Sequence, residues 1–342
     1  MPAATAPTRP GVCVAGRLLP GLLACGLATA IALAVHRAVP VASPLLVAIL
    51  LGAVLTNVIT VPASWQPGVA VAAKRLLRVG IVLLGLQLSL GQVAGLGPAM
   101  LLVVVSIVGL GIVGTIGLGR LLRMPLPQTL LIACGFSICG AAAVAAVDGV
   151  MESEEEDVAT AIALVVLFGS LMIVLVPLAA TALSLGGTSA ALWAGGSIHE
   201  VAQVVAAGGA LGPGAVDQAV LVKLARVLML APVMASVGLL VRRHPGLRHA
   251  GAGKRPPVVP VFVLGFLAMM LLASTGWVPG PVLAAASWAQ TALLAAAMFA
   301  LGLGVRLKAL VNVGPRPLLL GVLSTLLVAG IALAGVLLVT GA

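Results

Sequence analysis

The chain has 342 residues, of which 62% are hydrophobic and 8% charged, with a mean hydropathy of +1.28 and a formal net charge of +10. A soluble domain averages about 25% charged residues, so the composition excludes a soluble globular protein and identifies a polytopic α-helical membrane protein. The absence of Tyr and of an alternating apolar pattern argues against an outer-membrane barrel, and no Lys/Arg run interleaved with aromatics points to nucleic acid.

Residues 1–16 are rich in Pro, Ala and Thr and read as a disordered cytoplasmic N-terminus. From Arg17 onward, residues 17–342 read as one transmembrane domain. The apolar run from Arg17 to Val35 is followed by no cleavage pattern and reads as a retained first helix. The next spans fall at 41–60, 76–93 and 99–119. Segment 128–150 follows and carries Gly and polar residues at its centre. A span at 158–184 leads to a second such segment, 189–209. The last spans are 216–240, 257–275, 282–304 and 316–339. That makes nine spans and two special segments, which read as re-entrant or broken helices.

The loops set the orientation. Lys74, Arg75, Arg78, Arg120, Arg123, Arg242, Arg243, Arg248, Lys254, Arg255, Arg306, Lys308 and Arg316 all fall on one side if the N-terminus is cytoplasmic. Arg37 is the single exception. The positive-inside rule then predicts a cytoplasmic N-terminus and a C-terminus outside.

Two internal similarities suggest an inverted repeat. With an offset of 60, Gly135–Ala146 matches Gly195–Ala206, and Asp157 matches Asp217. With an offset of 217, Gly85–Leu90 matches Gly302–Leu307, and Gly97-Pro98 matches Gly314-Pro315. The halves are then 41–184 and 189–339, in permuted order. Spans 76–93 and 282–304 are antiparallel by their flanking charges. The helices after the two special segments are antiparallel as well only if each segment is a hairpin that returns to its own side. Re-entrant hairpins entering from opposite sides are therefore expected.

The candidate chemistry lies in the two hairpins and the helix after the second. Ionisable groups at membrane depth are costly and usually face a protein interior or a wet cavity. His199 and Gln203 share a face if helical, and Glu200 meets Gln203 at i,i+3. A His titrates near neutrality, and a Glu beside it suits a proton carrier, so His199 and Glu200 are the proton-coupling candidates. A structural His–Glu pair is the bland alternative. Each hairpin carries Gly-x-Ser-Ile before an apolar run, giving Ser137, Ile138, Cys139 and Gly140 in one and Ser197 and Ile198 in the other. Each Ser is expected to N-cap the half-helix that follows it, whose free N–H groups then bind an anion. Lys223 and Arg226 sit i,i+3 on an otherwise apolar helix. An unpartnered buried cation is expensive, and Arg can hold an oxyanion in bidentate fashion. Their partner is Glu200, Asp217 or a bound anion. Ser137, Ile138, Cys139, Gly140, Ser197, Ile198, Gln203, Lys223 and Arg226 are thus the substrate-binding candidates.

Other features read as structural. Asp148, Glu152, Glu154, Glu155, Glu156 and Asp157 form a solvated turn that favours the next helix N-terminus. Gln87, Gln92 and Asn57 are expected in interhelical hydrogen bonds. Trp65, Trp193, Trp277 and Trp288 are packing or interface anchors. Cys13, Cys25, Cys134 and Cys139 match no zinc or haem spacing. No P-loop or hydrolase elbow is present, so neither enzyme activity nor a cofactor is expected.

Gly135–Ala146 and Ser197–Gly209, with Gly85–Leu90 and the Asp217–Arg226 helix, resemble the YeiH-like (UPF0324) family of bacterial inner-membrane proteins. Ser-Ile-His-Glu-Val-Ala-Gln-Val-Val-Ala-Ala-Gly is the specific part. The resemblance covers nearly the whole chain and implies a secondary transporter exporting sulfate or a similar small inorganic oxyanion. It also implies kinship with cation/proton antiporters and bile-acid-type symporters. Related transporters are often homodimers, while no interface is legible in this sequence. Two alternatives stay open: a cation/proton antiporter using Glu200 and Asp217, and an anion channel or membrane sensor without coupled transport.

Overall fold

The computed structural model describes residues 14–39, 42–151, 153–243, 261–304 and 314–341. The N-terminal tail before Val14, Glu152, and the loop cations Arg248, Lys254, Arg255, Arg306 and Lys308 lie outside the described residues, as does the end of the Gly302–Leu307 match. Among the described residues the protein is all-helical: α1 (Val14–Ala38), α2 (Pro44–Val58), α3 (Gln66–Val71) running through a π turn into α4 (Leu77–Leu84), α5 (Leu90–Ala94), α6 (Gly97–Leu121), α7 (Leu126–Cys134), α8 (Ala141–Met151), α9 (Glu155–Ala182), α10 (Gly187–Ser197), α11 (Val201–Ala210), α12 (Ala215–Leu228), α13 (Leu230–Arg243), α14 (Val261–Ser274), α15 (Gly280–Gly302) and α16 (Pro315–Thr340).

Prolines open many of these helices. α2, α3, α6, α7, α15 and α16 carry Pro in their first two positions, where its missing N–H costs nothing. The matched Gly97 and Gly314 both adopt positive φ, +76° and +86°, each immediately before the proline of such a start. Six helical stretches are long and apolar enough to cross a membrane alone: Arg17–Ala38, α6, α9, the α12–α13 stretch, α15 and α16. The shorter α2, the 66–84 run and α14 pack alongside them, which recovers the nine expected spans. Exposed Leu102, Leu110 and Val113 on α6, and Leu167, Leu171, Val174 and Leu178 on α9, form apolar stripes suited to lipid contact.

Helix directions follow from close contacts. α6 and α16 are antiparallel, since Gly335 meets Val103 and Gly111 meets Val328. α7 runs back along α6, with Thr129 against Gly119 and Ser137 against Gly111, so it starts beside Arg120 and Arg123 and stops midway. α10 starts at the other end, where Ser189 bonds Thr340, and also stops midway, with Gly196 against Ala332 and Ile107. The 28-residue α9 must span between these two starts, about 42 Å at 1.5 Å per residue. α8 therefore returns to the face that α7 left. α12 runs beside α10 in the same direction, with Gly195 against Ala219, and Gly208 at the end of α11 meets Val216, so α11 likewise returns. Segments 128–150 and 189–209 are re-entrant hairpins from opposite faces. Arg17, Lys74, Arg75, Arg120, Arg123, Arg242, Arg243 and Arg316 mark the basic face. Arg37 stands on the opposite one.

The repeat is visible in the packing. A Cβ on Gly85 would meet the carbonyl of Phe266, and one on Gly302 would meet the carbonyl of Ile49. Both partners of one contact are displaced by 217 from those of the other. Gly111 touches Val328, its own 217-offset counterpart, and Gly140 abuts Glu200, its own 60-offset counterpart. These self-paired positions lie on the pseudo-two-fold axis.

Since backbone blocks the missing Cβ, Gly85→Ala and Gly302→Ala are each expected to destabilise the protein by roughly 1–3 kcal/mol through overpacking. Gly109→Ala, with nothing near its Cβ, should not. Thermal unfolding of the three purified variants measures the difference.

Candidate functional site

The two hairpin tips meet at the centre of the molecule. The π turn 135–139 ends at Gly140, whose φ of +77° reverses the chain before α8. A side chain there would be strained and would strike Glu200. In the second hairpin the break covers Ile198 to Glu200, and α11 starts at Val201.

The breaks fall later than the serines, which corrects their expected role. Ser197 is the last residue of α10, and its hydroxyl donates to Trp193 O at 2.7 Å. Ser137 lies inside the π turn. Both belong to the incoming half-helices, so neither caps the outgoing one. The N-cap position of α11 is Glu200, and its carboxylate also accepts the Ala141 N–H at 3.0 Å. The protein's own carboxylate thus occupies the N-terminus of α8, where an anion was expected.

The half-helix C-termini are held by a cation. Arg226 is fully buried. Its Nε donates to Ser137 O at 3.1 Å, its Nη2 to Phe136 O and Ser137 O at 2.9 and 2.8 Å, and its Nη1 to Gly195 O, Gly196 O and Ile198 O at 3.3, 2.7 and 3.1 Å. One guanidinium thereby closes the carbonyl ends of both α7 and α10, each equivalent to about half a negative charge. Lys223, also fully buried, donates to Ile198 O at 2.6 Å and lies within electrostatic reach of Glu200. The partners of these two cations are backbone carbonyls and Glu200. Asp217 sits in the first turn of α12, two turns from Lys223.

His199 and Gln203 do not share a helix face, because His199 lies in the break. Its ring packs on Phe136 with centroids 4.5 Å apart, and Nε2 is 3.2 Å from Thr325 Oγ1. The Thr325 hydroxyl donates to Gly321 O at 2.8 Å, so its oxygen accepts, which assigns the proton to Nε2. Gln203 is buried beside Gly169, and its Oε1 accepts the Glu200 N–H at 3.1 Å. Gln92, expected in an interhelical bond, exchanges capping bonds with Ser89, and Asn57 donates to Ala53 O in its own helix. Trp193 does bridge helices, donating from Nε1 to Ala329 O.

A crevice of about 1060 Å³ descends to this junction. Its floor includes Cys139 and Glu200, and its wall includes Leu77 and Met298. Ser137, Ile138, Ser197, Ile198, His199, Gln203, Lys223 and Arg226 are buried behind the tips. The polar residues nearer the mouth are His36, Arg37, Ser43, Ser287, Gln290 and Thr291. Sequence reasoning assigned none of these to the site. The available signal was Arg37, the lone basic residue against the charge rule. The crevice opens on the face opposite the basic one.

Two outcomes follow. Cys139, at the crevice floor, is expected to react with a small thiol reagent, while Cys134, fully buried in α7, stays unmodified in the folded protein; mass spectrometry of the labelled chain reads both. Arg226→Met takes the guanidinium donors from the carbonyls of Phe136, Ser137, Gly195 and Gly196 and leaves Ile198 O to Lys223 alone, and Arg226→Lys cannot fork to both hairpins. Each should cost about 3–5 kcal/mol, seen as lost monodispersity or a much lower unfolding temperature.

Comparison with known proteins gives this site its family. The profile described as "Conserved hypothetical protein 698" matches residues 20–321. A UPF0324 membrane protein of Corynebacterium glutamicum is 56% identical over 319 residues, covering 93% of this chain and 92% of its own. One from Pseudomonas putida is 38% identical, covering 80% of this chain and 78% of its own. The UPF0324 membrane protein TauZ of Paracoccus denitrificans is 37% identical, covering 72% of this chain and 74% of its own. No solved structure matches the chain. With the paired hairpins and the Ser197–Gly209 run inside the matched region, the chain belongs to the UPF0324 family of membrane proteins.

Proposed function

We propose that this protein is a secondary transporter exporting a small inorganic oxyanion, sulfate or sulfite, across the bacterial inner membrane, with proton coupling. The basic face would then be cytoplasmic, with the N-terminus inside and the C-terminus outside. The observation that carries this reading is the Glu200 carboxylate on the Ala141 N–H at the floor of an open crevice. A helix N-terminus favours an anion, and here the resident anion is a titratable side chain. An oxyanion and the Glu200 carboxylate compete for the same N–H groups. Protonation of Glu200 releases them and leaves the Lys223 charge to favour the incoming anion. Arg226 holds the two tips in register and does not contact substrate in this reading. The Arg37 side chain at the mouth adds positive charge along the anion's path.

A cation/proton antiporter would use the same Glu200 with a different ligand. Glu200 is the one acidic residue lining the crevice among the described residues, and a lone carboxylate beside Lys223 suits an anion better than a cation. A channel would need a continuous pore, whereas the crevice ends at the hairpin tips.

Radiolabelled sulfate and sulfite flux into proteoliposomes, with and without a pH gradient, tests the proposal. Wild type should show saturable, gradient-dependent flux. Glu200→Gln should keep flux and lose its gradient dependence. His199→Gln, which changes a residue off the crevice, should keep both. Absence of flux of either anion in folded protein would discard the substrate assignment.

A further inference from the structure

The pseudo-two-fold axis predicts that the crevice has a counterpart on the basic face. A small cavity does lie there, of about 20 Å³, room for about one water. Six of its ten lining residues have an offset counterpart in the crevice lining. Ala73, Lys74, Leu77 and Ile81 line the small cavity, and Gln290, Thr291, Leu294 and Met298, each 217 residues later, line the crevice. Ala145 lines the cavity, and Val205, 60 later, lines the crevice. Phe262 and Leu45 are a further pair, again 217 apart. Six pairs under the two offsets relate these two adjoining cavities, which meet at the shared residues Leu77, Ile81 and Ala142. The volumes differ by about fifty-fold, so one site is open and its equivalent collapsed.

We infer that this collapsed cavity, between the 73–81 helix face and the outgoing arm of the first hairpin, is a second substrate vestibule that opens to the basic face when the crevice closes. Its charged lining, Lys74, Arg78 and Asp148, has no charged counterpart: the corresponding residues are Thr291, Ala295 and Gly208, of which only Thr291 lines the crevice. Arg78 lies over the Phe262 ring at 5.7 Å, and its Nη2 lies beside Gly149, so it spans the closed seam between α4, α8 and α14. When the seam parts, Lys74 and Arg78 face a water-filled vestibule. Two cations against one carboxylate there suit a small oxyanion. This last point rests on the transporter reading above; the existence of the vestibule does not.

The experiment is paired cysteine accessibility in a chain with Cys13, Cys25, Cys134 and Cys139 replaced. Val205→Cys reports the crevice and Ala145→Cys the collapsed site, each labelled from one face at a time with a membrane-impermeant thiol reagent. Two variants push the seam apart: Asp148→Lys by charge, and Ala73→Trp by bulk in a cavity with no room for it. Expected is a severalfold fall in Val205→Cys labelling together with a severalfold rise at Ala145→Cys, the latter from the basic face only. Labelling at Ala145→Cys from the opposite face, a rise without the reciprocal fall, or no change in either variant with unfolding temperature preserved would overturn the inference. Sulfate and sulfite flux is measured on the same preparations. Reciprocal labelling without flux removes the oxyanion and leaves the vestibule; flux without reciprocity removes the vestibule and leaves the transporter.

Discussion

The Arg226 guanidinium is the interaction on which the centre of this molecule depends. Two half-helices stop midway through the protein with their terminal carbonyls facing each other. Water cannot reach them, and unsatisfied backbone groups in such a place cost several kcal/mol each. A planar fork with five N–H groups fits two separate carbonyl clusters at once, in a way a lysine cannot. The charge is balanced by helix ends rather than by a carboxylate, so no acidic partner had to be placed beside it. Glu200 is thereby left for Lys223 and the N-terminus of α8.

That arrangement breaks the symmetry of the repeat where function would need it broken. The positions 60 residues before Lys223 and Arg226 are Ala163 and Val166, so a single half supplies both cations to a junction built by two. Glu200 faces Gly140 across the axis, and only a glycine could stand there. The helical scaffold obeys the two-fold, as the Gly85–Phe266 and Gly302–Ile49 contacts show, while the polar groups do not. Helix α1 adds a further asymmetry. It has no partner in the repeat, and it contributes His36 and Arg37 to the open crevice alone.

The spans, the hairpins and the repeat were legible in the sequence. Apolar runs of helix length, basic residues gathered in alternate loops, and the 60 and 217 offsets each report a constraint imposed on every residue of a segment by the bilayer. Such signals survive averaging over many positions. The parity of antiparallel helices also followed, because a helix that enters a membrane must leave it on a definite side.

The sequence could name His199, Glu200, Gln203, Lys223 and Arg226 as the polar residues of the interior, but not what each one faces. Whether a serine belongs to the helix behind it or caps the one ahead depends on where the chain turns, and a shift of three residues decided this at Ser137 and Ser197. Which cation meets carbonyls and which meets a carboxylate depends on distances between α7, α10 and α12, segments up to 90 residues apart. The crevice is a property of how its walls pack, which leaves about 1060 Å³ there and about 20 Å³ in its counterpart. Composition and periodicity determined that this chain lies in a membrane as a repeat of helices. Only tertiary packing decided that Glu200 and Cys139 meet the crevice while His199 and Arg226 stand behind it, because burial is set by neighbours distant in sequence.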